Sequence, residues 1–460
     1  NKDVEFYDFR GFYFPESFDF EVIYEYLKDR TFDKEVYFAE AIFQDIADFH
    51  GAVFQRRVQF EKTTFEKFAK FGNVIFQEFA DFRGAKFNGA FFLGAKFESA
   101  DFAQTVIEKN ANFRDVKFEK FADFRGAKFQ MAEFTHATFE SWVTFEEAEF
   151  KSSDFGHVTF KEWVYFINST FGEATFEDVE FKGGANFTYA VFHIANFYNS
   201  EFEKRAYFEN SEIKKNINFA YAEFHGELLL IRIKGKPFFI FYGTRFSDKT
   251  WIGGGTNLEK ALFNFSRAEI VDFTGTEFPE KLYEEQLLEK KELNDEEKKY
   301  CPENWEEVSS IYRKLKQAHQ RHGDYIKAGE FFYREMECKK KALREKRFSR
   351  EWFRSFGYSF LKYSCGYGEK PGTVIRNSIL AVFGFAFAYL FSNSINLSGN
   401  SVVRKFLQSL YFSTITFTTL GYGDIHPIND TGRILAMSEA IMGAIFIALF
   451  IFVFSRKMMR

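Results

Sequence analysis

The residues best suited to chemistry in this chain are the seven from Thr418 to Asp424, which read Thr-Thr-Leu-Gly-Tyr-Gly-Asp. Their backbone carbonyl oxygens, together with the hydroxyl of Thr419, are ligands that can replace water around a dehydrated cation. The glycines at Gly421 and Gly423 permit the backbone angles that turn successive carbonyls to one side. Because one chain offers one oxygen per level, the segment predicts a cation path at the centre of a symmetric oligomer.

Two apolar segments flank this heptapeptide, at 373–391 and 434–454. A bilayer core of about 30 Å needs about 20 apolar residues, so each segment is long enough to cross a membrane. Basic residues lie outside both segments, which places both chain termini in the cytoplasm by the positive-inside rule. The stretch 392–433 must then re-enter the membrane from outside, with a short helix predicted at 409–418 whose negative end faces the cation path.

The heptapeptide and its two spans resemble the pore of two-transmembrane potassium channels, and Pro427, Gly432 and Gly443 fall where that family has its outer turn, inner-helix start and gating hinge. The resemblance implies a homotetramer that conducts K⁺ passively, without enzymatic activity and without a cofactor other than K⁺ ions. A glycine inside a membrane helix also permits close packing, so this alternative to the hinge stays open. The implied selectivity filter is Thr419, Leu420, Gly421, Tyr422, Gly423 and Asp424, with K⁺ at the first four.

Three further residues are predicted to support the filter. Glu439 is costly inside a membrane and is therefore expected to be functional. We expect its carboxylate to accept a hydrogen bond from a hydroxyl of the re-entrant helix such as Thr416, while Thr418 supports the filter entrance. His426 at the outer mouth either tunes conductance with pH or is an inert exposed side chain.

Phenylalanine dominates the first part of the chain, and the whole sequence contains 70 of them. Phe recurs every five or six residues, and from Phe124 to Phe208 every fourth Phe is 21 residues further on. Two residues before each Phe lies a small or β-branched residue. Neither helix nor strand periodicity gives such steps, so a solenoid of square coils with one extra residue per coil, placed as a bulge, is predicted.

This pattern resembles the pentapeptide-repeat family, whose fold is a right-handed quadrilateral β-helix, and it covers about residues 5–280. Counting Phe from Phe38 to Phe224 predicts about nine coils. Residues 1–280 carry 33 basic and 46 acidic side chains. An acidic rod that imitates DNA is one alternative, but a fused membrane segment argues against it and no nucleic-acid partner is expected. Three stimuli for opening are left open by the sequence: an unidentified ligand or protein on the rod, lipid at the basic run that follows it, and membrane tension.

The connector between rod and pore is predicted to be helical. A hairpin similar to one tetratricopeptide-type unit is expected around Gly323, with Asp324 as a helix cap. Basic residues followed by aromatics then suit a helix at the membrane interface, where the basic run either contacts anionic lipid or forms a solvated helix face. The short Gly366-Tyr367-Gly368 sequence lacks a threonine pair and a preceding pore helix, and is interpreted as a turn. The predicted lipid-contact residues are Lys339, Lys340, Lys341, Arg344, Arg347 and Arg350.

The sequence therefore predicts a multidomain chain: a pentapeptide-repeat β-helix at 1–280, an α-helical adaptor at 281–350, an interfacial helix at 351–372 and an all-α two-transmembrane pore domain at 373–460, with the filter at 419–424. Its predicted place is the plasma membrane. Two alternatives remain: a membrane-anchored scaffold whose rod binds a protein partner, and a less selective cation channel. The three cysteines show no pairing pattern, which favours free thiols. The chain shows no N-terminal secretion signal and begins without Met, so native terminal residues are expected to be missing.

Overall fold

The computed structural model describes residues 5–19, 30–290, 292–346, 349–399 and 401–458 of the chain. The chain divides into two compact units, one holding Asn1–Glu303 with Gln317–Gly323 and the other Asn304–Lys316 with Asp324–Arg460. The first unit is a β-solenoid of about 11 turns followed by short helices. The second unit is built mainly of helices.

Four columns of aromatic rings fill the solenoid. In one column Phe124, Phe145 and Phe166 stack with centroids 4.8 and 4.9 Å apart and ring planes within 9°. Rings of neighbouring columns meet edge to face, as Phe134 and Phe145 do at 5.5 Å and 84°. Both are favoured aromatic geometries. The small residue before each Phe is buried, as Ala122 is, so the predicted stacking of Phe on Phe is confirmed.

The coils pair side by side through parallel strands in two sheets. The first sheet contains Phe6–Asp8, Thr31–Phe32, Glu35–Tyr37, Val53–Phe54, Val58–Gln59, Ile75–Asp81, Lys96–Asp101, Lys117–Phe118, Ala122–Asp123, Thr138–Phe139, Val143–Thr144, Thr159–Phe160, Val164–Tyr165, Glu180–Phe181, Ala185–Asn186, Glu201–Phe202, Ala206–Tyr207, Glu223–Phe224, Leu228–Ile231 and Thr250–Gly253. The second contains Tyr13–Phe14, Phe18–Asp19, Ile42–Phe43, Ala47–Asp48, Thr64–Lys70, Lys86–Phe91, Val106–Asn112, Lys128–Glu133, Glu149–Asp154, Thr170–Thr175, Val191–Asn196, Glu212–Asn218, Phe238–Ile240 and Lys260–Leu262.

The extra residues explain where the strand register shifts. The strand Glu149–Asp154 pairs without a shift with both Lys128–Glu133 and Thr170–Thr175, because these 21-residue coils carry the extra residue at the same corner. A shift appears where Thr64–Lys70 pairs with Lys86–Phe91, since the two coils differ in length there. Bulges therefore mark changes of coil length rather than every coil.

The solenoid is longer than the Phe pattern predicts. One column continues through Phe219, Phe241 and Phe263, which stack at 5.8 and 5.3 Å. In another column Leu230 and Ile252 are fully buried and take the place of Phe. The count of about nine coils covers Phe38 to Phe224 alone; beyond Phe224, branched aliphatic residues such as Leu230 and Ile252 fill the same interior.

Two short helices close the C-terminal end of the solenoid: α1 at Tyr283–Glu289 and α2 at Asp295–Tyr300, after a 3-10 turn at Ala268–Ile270. Leu287 and Tyr300 pack in one apolar cluster with the buried Ile240 and Leu262. This contact places both helices in the same compact unit as the solenoid, which therefore extends beyond the predicted boundary at 280 to Glu303.

The carboxylate of Glu284 provides a hydrogen-bond acceptor for a backbone N–H at the open edge of the last coil. Its side chain is fully buried, and one oxygen accepts a hydrogen bond from the backbone N–H of Phe263. Its other oxygen, Oε2, is buried without a hydrogen-bond partner. Burial raises the pKa of Glu284 to about 7.

Within the described residues, six helices and one 3-10 turn follow. The hairpin is confirmed: the side chain of Asp324 caps its second helix by accepting from the N–H of Lys327 at 3.0 Å, and Tyr312 packs on Phe331 at 6.1 Å. The elements are α3 at Trp305–Arg321, α4 at Tyr325–Glu345, α5 at Arg350–Cys365, the 3-10 turn at Gly366–Gly368, α6 at Pro371–Ser392, α7 at Val402–Phe417 and α8 at Asp430–Met458.

The buried Glu284 carboxyl should make stability depend on pH. A folded-state pKa of about 7, above the usual value for a glutamate, means that folding takes up a proton, so stability is lost as pH rises from about 4.5 through 7. Glu284→Gln keeps an acceptor for Phe263 without the charge. We expect its unfolding temperature, followed by circular dichroism, to exceed that of the unmodified chain at pH 8 and to match it at pH 4.5.

The exposed Glu162 offers a matched control. Glu162→Gln should leave the unfolding temperature unchanged at both pH values. A Glu284→Gln chain that gains no stability at pH 8 would contradict the role given to this carboxyl.

Candidate ion-conduction site

Among the described residues of the second unit, two helices, α6 and α8, are long and apolar enough to cross a membrane. Most of the apolar stretch of each helix is not buried within the chain. A core helix of a soluble protein would bury most of that surface. Both helices enclose the predicted spans and extend beyond them.

The re-entrant helix α7 begins at Val402, well before the predicted start at 409, and ends at Phe417. Its first turns are held by Phe406, whose ring lies 5.1 Å from that of Phe387 in α6. Further along, Phe412 meets Tyr389 of α6 edge to face at 5.0 Å. The sequence prediction missed the early start because the anchoring contact is made with another helix.

The end of α7 and the beginning of the predicted filter form one hydrogen-bonded turn. The N–H of Thr419 donates to the carbonyl of Thr416 at 3.1 Å, and the N–H of Leu420 donates to that of Ile415 at 2.8 Å. These two bonds, with Thr419 in the left-handed region, make a Schellman helix end. The hydroxyl of Thr418, predicted as a support, donates to the carbonyl of Thr414 at 2.7 Å. The start of the predicted filter segment is therefore held by hydrogen bonds to the last turn of α7.

Left-handed backbone recurs at every second residue of this segment. φ is +57° at Thr419, +53° at Gly421 and +83° at Gly423. The sequence anticipated the two glycines, which adopt such angles at little cost. It missed Thr419, since a β-branched residue there is an outlier that only the surrounding structure can impose. The side chains of Leu420 and Tyr422 are 62% and 71% exposed in the single chain.

Glu439 connects the three helices α6, α7 and α8, which are called the pore unit below. Its side chain is buried in α8, and the hydroxyl of Tyr389 in α6 donates to one carboxylate oxygen at 2.8 Å. The hydroxyl of Ser413 in α7 donates to the other oxygen. The partner is thus Ser413 rather than the predicted Thr416, which lies almost one helical turn further along α7 and is only partly buried.

Gly443 lies against the end of α7. A Cβ atom added there would stand 2.0 Å from the carbonyl oxygen of Phe417, which is far inside contact distance. At Gly432, in the first turn of α8, an added Cβ atom would stand 2.3 Å from the carbonyl oxygen of Ser394. These approaches supply a packing reason for both glycines, and the gating hinge at Gly443 stays a prediction.

The segment after α6 and the segment after the predicted filter are joined by a contact that the sequence analysis did not foresee. Ile395 forms an antiparallel bridge with Pro427. The side chain of Asn396 accepts from the N–H of His426 at 2.7 Å, and its amide lies 3.5 Å from the carbonyl oxygen of Asp424. The two strands are about 30 residues apart in sequence, so local patterns carry no signal for this pairing. His426 itself is exposed.

Several residues of the predicted lipid-contact set are engaged inside the unit. Lys339 contacts Glu335 at 2.6 Å, and Lys340 is buried and contacts Glu337 at 2.8 Å. The structure thus places Lys340 in the interior, because Glu337 needs a counter-charge there. Lys341 lies over the ring of Trp305 at 3.9 Å, and Arg344 donates to Ser359 at 3.2 Å. Arg350 is exposed, and Arg347 lies outside the described residues.

A row of aromatic side chains on α5 is open to the surroundings. Phe353, Phe356, Phe360 and Tyr363 follow helical spacing and are between 56% and 68% exposed. Such a face suits the boundary between lipid headgroups and acyl chains. The interfacial helix was predicted to extend to residue 372, but α5 ends at Cys365.

The order of apolar helix, α7, glycine-alternating segment and second apolar helix resembles the layout of a potassium channel pore domain, and the stacked-Phe coils have the layout of a pentapeptide-repeat domain. The ion channel family matches residues 378–460. The family of pentapeptide repeats in nine copies matches residues 30–75, 71–117, 102–149 and 145–191. The chain thus joins an ion channel domain to pentapeptide repeats, and it is a membrane protein.

Curated relatives resemble the chain over short stretches. The chain is 47% identical over 48 residues to a two pore potassium channel of rice (Oryza sativa subsp. japonica), covering 10% of this chain and 14% of the relative. It is 46% identical over 50 residues to human potassium voltage-gated channel subfamily KQT member 4, covering 11% and 7%. It is 38% identical over 42 residues to a hyperpolarization-activated voltage-gated potassium channel of Methanocaldococcus jannaschii, covering 9% and 20%. The chain therefore spans less than a quarter of each of these relatives.

The contact at Gly443 can be tested by adding one methyl group. Gly443→Ala should push α8 away from the end of α7 and destabilise the pore unit by roughly 1–3 kcal/mol, as overpacking does. Gly384→Ala is the matched control, because Gly384 lies in α6 with open space around it in the chain. The unfolding temperature in detergent should fall for the first variant only. Equal temperatures for both would contradict the packing role and leave Gly443 as a hinge alone.

Proposed function

We propose that this protein is a homotetrameric K⁺-selective channel whose filter is Thr419 to Asp424. The observation that carries the proposal is the alternation of left-handed backbone at Thr419, Gly421 and Gly423, in a segment suspended from a re-entrant helix. Alternation of this kind allows the carbonyls of Thr419 to Tyr422 to face one side as cation ligands. Ions would exchange their water for these oxygens and leave by repulsion from the next ion.

The proposed tetramer is supported by the backbone and side chains of the filter segment that a single chain leaves exposed. Irregular backbone at membrane depth is tolerated only where protein buries it or where it lines a water-filled path. In one chain Leu420, Tyr422 and all of the filter glycines are exposed. Four copies around one axis would place the carbonyls on the ion path and pack the side chain of Tyr422 against a neighbouring chain.

The channel would lie in the cell membrane with both termini in the cytoplasm. Basic residues at Arg354 and Lys457 lie beside the cytoplasmic ends of the two spans, as the positive-inside rule requires. The aromatic row of α5 would rest in the lipid interface, with Arg350 and Arg354 near anionic headgroups. No cofactor besides K⁺ is proposed.

Opening would be regulated from the solenoid, where we place the binding of an unidentified ligand or protein. Its surface has a cavity of about 710 Å³, lined in part by Lys128, Lys151, His193 and Lys214. Opening would require the cytoplasmic ends of four α8 helices to separate, with bending near Gly443.

Selectivity is tested by the reversal potential of the reconstituted protein between KCl on one side and NaCl on the other. The account predicts a value close to the K⁺ equilibrium potential. A current that reverses near zero would show a less selective cation channel, and the absence of current would favour a membrane-anchored scaffold that binds a partner.

Gly421→Ala should abolish the selective current and leave the tetramer intact. No atom lies within 4 Å of the added methyl group in the single chain, but the left-handed φ of +53° disfavours any side chain. Gly384→Ala serves as the matched control and should conduct as the unmodified protein does. Unchanged selectivity in the Gly421→Ala channel would refute the filter assignment.

A further inference from the structure

The short segment Gly366 to Glu369, which the sequence suggested to be a simple turn, contacts helices on both sides. Its backbone is unusual: φ is +56° at Gly366, +58° at Tyr367 and +83° at Gly368. A tyrosine in the left-handed region is disfavoured by its own side chain. Such a residue persists only where its contacts hold it, and those contacts are specific here.

On one side the turn is fixed to the helical adaptor. The hydroxyl of Tyr367 donates to the carboxylate of Glu337 in α4 at 2.6 Å. The same carboxylate accepts from Lys340 at 2.8 Å and from Lys362 of α5 at 2.5 Å. Glu337 and Tyr367 are buried, and the ring of Tyr367 meets that of Tyr333 at 5.4 Å. This network holds the turn, α4 and α5 as one body.

On the other side the turn is fixed to the cytoplasmic end of α8. The carboxylate of Glu369 lies 2.9 Å from Nη2 of Arg456, and both side chains are largely shielded from solvent. The guanidinium of Arg456 also stacks over the ring of Phe332 in α4, 4.7 Å from its centre. Gly368 leaves the room for this approach, since a Cβ there would lie 3.2 Å from Nη1 of Arg456 and 3.4 Å from Phe452.

We propose that the turn Gly366–Glu369 is the mechanical link between the cytoplasmic adaptor and the gate. Glu337 of the adaptor holds Tyr367 by a hydrogen bond, and Glu369 holds the end of α8 by its ion pair with Arg456. A displacement of α4 would therefore move the last turn of α8, where the pore must widen to open. The proposal rests on the proposed function and gives the pathway of its regulation: a continuous chain of contacts from α4 to α8.

Charge removal on either side of the ion pair tests the link. The variants are Glu369→Gln, Arg456→Gln and the double variant, with single-channel open probability measured in symmetric KCl. We expect each single variant to change the open probability by roughly fivefold, the effect of losing one partly buried ion pair. The double variant should match Arg456→Gln, because that single variant already loses both the ion pair and the stacking on Phe332.

The neighbouring Lys457 provides the matched control. It is exposed, lies on the same turn of α8, and makes no ion pair within the part of the chain that the structure describes. Lys457→Gln removes the same charge from the same end of the helix and should leave the open probability unchanged. The exchanged pair, Glu369→Arg with Arg456→Glu, should restore open probability toward that of the unmodified channel.

Two results separate this proposal from the function on which it rests. If the unmodified protein carries no K⁺ current, the proposed function fails. If it conducts but the single variants leave open probability unchanged, or act additively, the link alone is overturned. The unfolding temperatures of the same four proteins in detergent give a second reading without current: a shared, non-additive loss supports the contact, and independent losses contradict it.

Discussion

The arrangement of the pore unit depends on the C-terminal end of α7. The last carbonyl groups of this helix have no partner within the helix, and at membrane depth water would not be available to donate hydrogen bonds to them. The carbonyls of Ile415 and Thr416 accept hydrogen bonds from the filter, and the carbonyl of Phe417 lies against Gly443 of α8. One helix end therefore positions both the filter and the inner helix. The carboxylate of Glu439 holds the same two helices together one level further out.

The solenoid depends on a different interaction, the stacking of flat rings at the spacing of neighbouring strands. Phe134, Phe155 and Phe176 lie 4.9 Å apart with nearly parallel planes, close to the separation of about 4.8 Å between paired strands. Each ring therefore contacts the rings above and below without disturbing the backbone ladder.

Much of this architecture could be predicted from the sequence, where the signal is local or periodic. The Phe spacing predicts the solenoid, and the apolar lengths predict α6 and α8. Contacts between distant segments could not be predicted: Ser413 instead of Thr416 beside Glu439, and the packing of Phe406 on Phe387 that accompanies the early start of α7 at Val402. The left-handed Thr419 and Tyr367 were also missed, because residue type disfavours both conformations. Tertiary contacts decide each of these features.

The central claim is that four copies of this segment bind dehydrated K⁺, and the most direct test measures that binding itself. Bound K⁺ should stabilise the assembled tetramer in proportion to the logarithm of its concentration over Kd. The temperature at which the purified tetramer dissociates in detergent would be measured in KCl and in NaCl at equal ionic strength. The account predicts a higher temperature in KCl. The same temperature in both salts would contradict it.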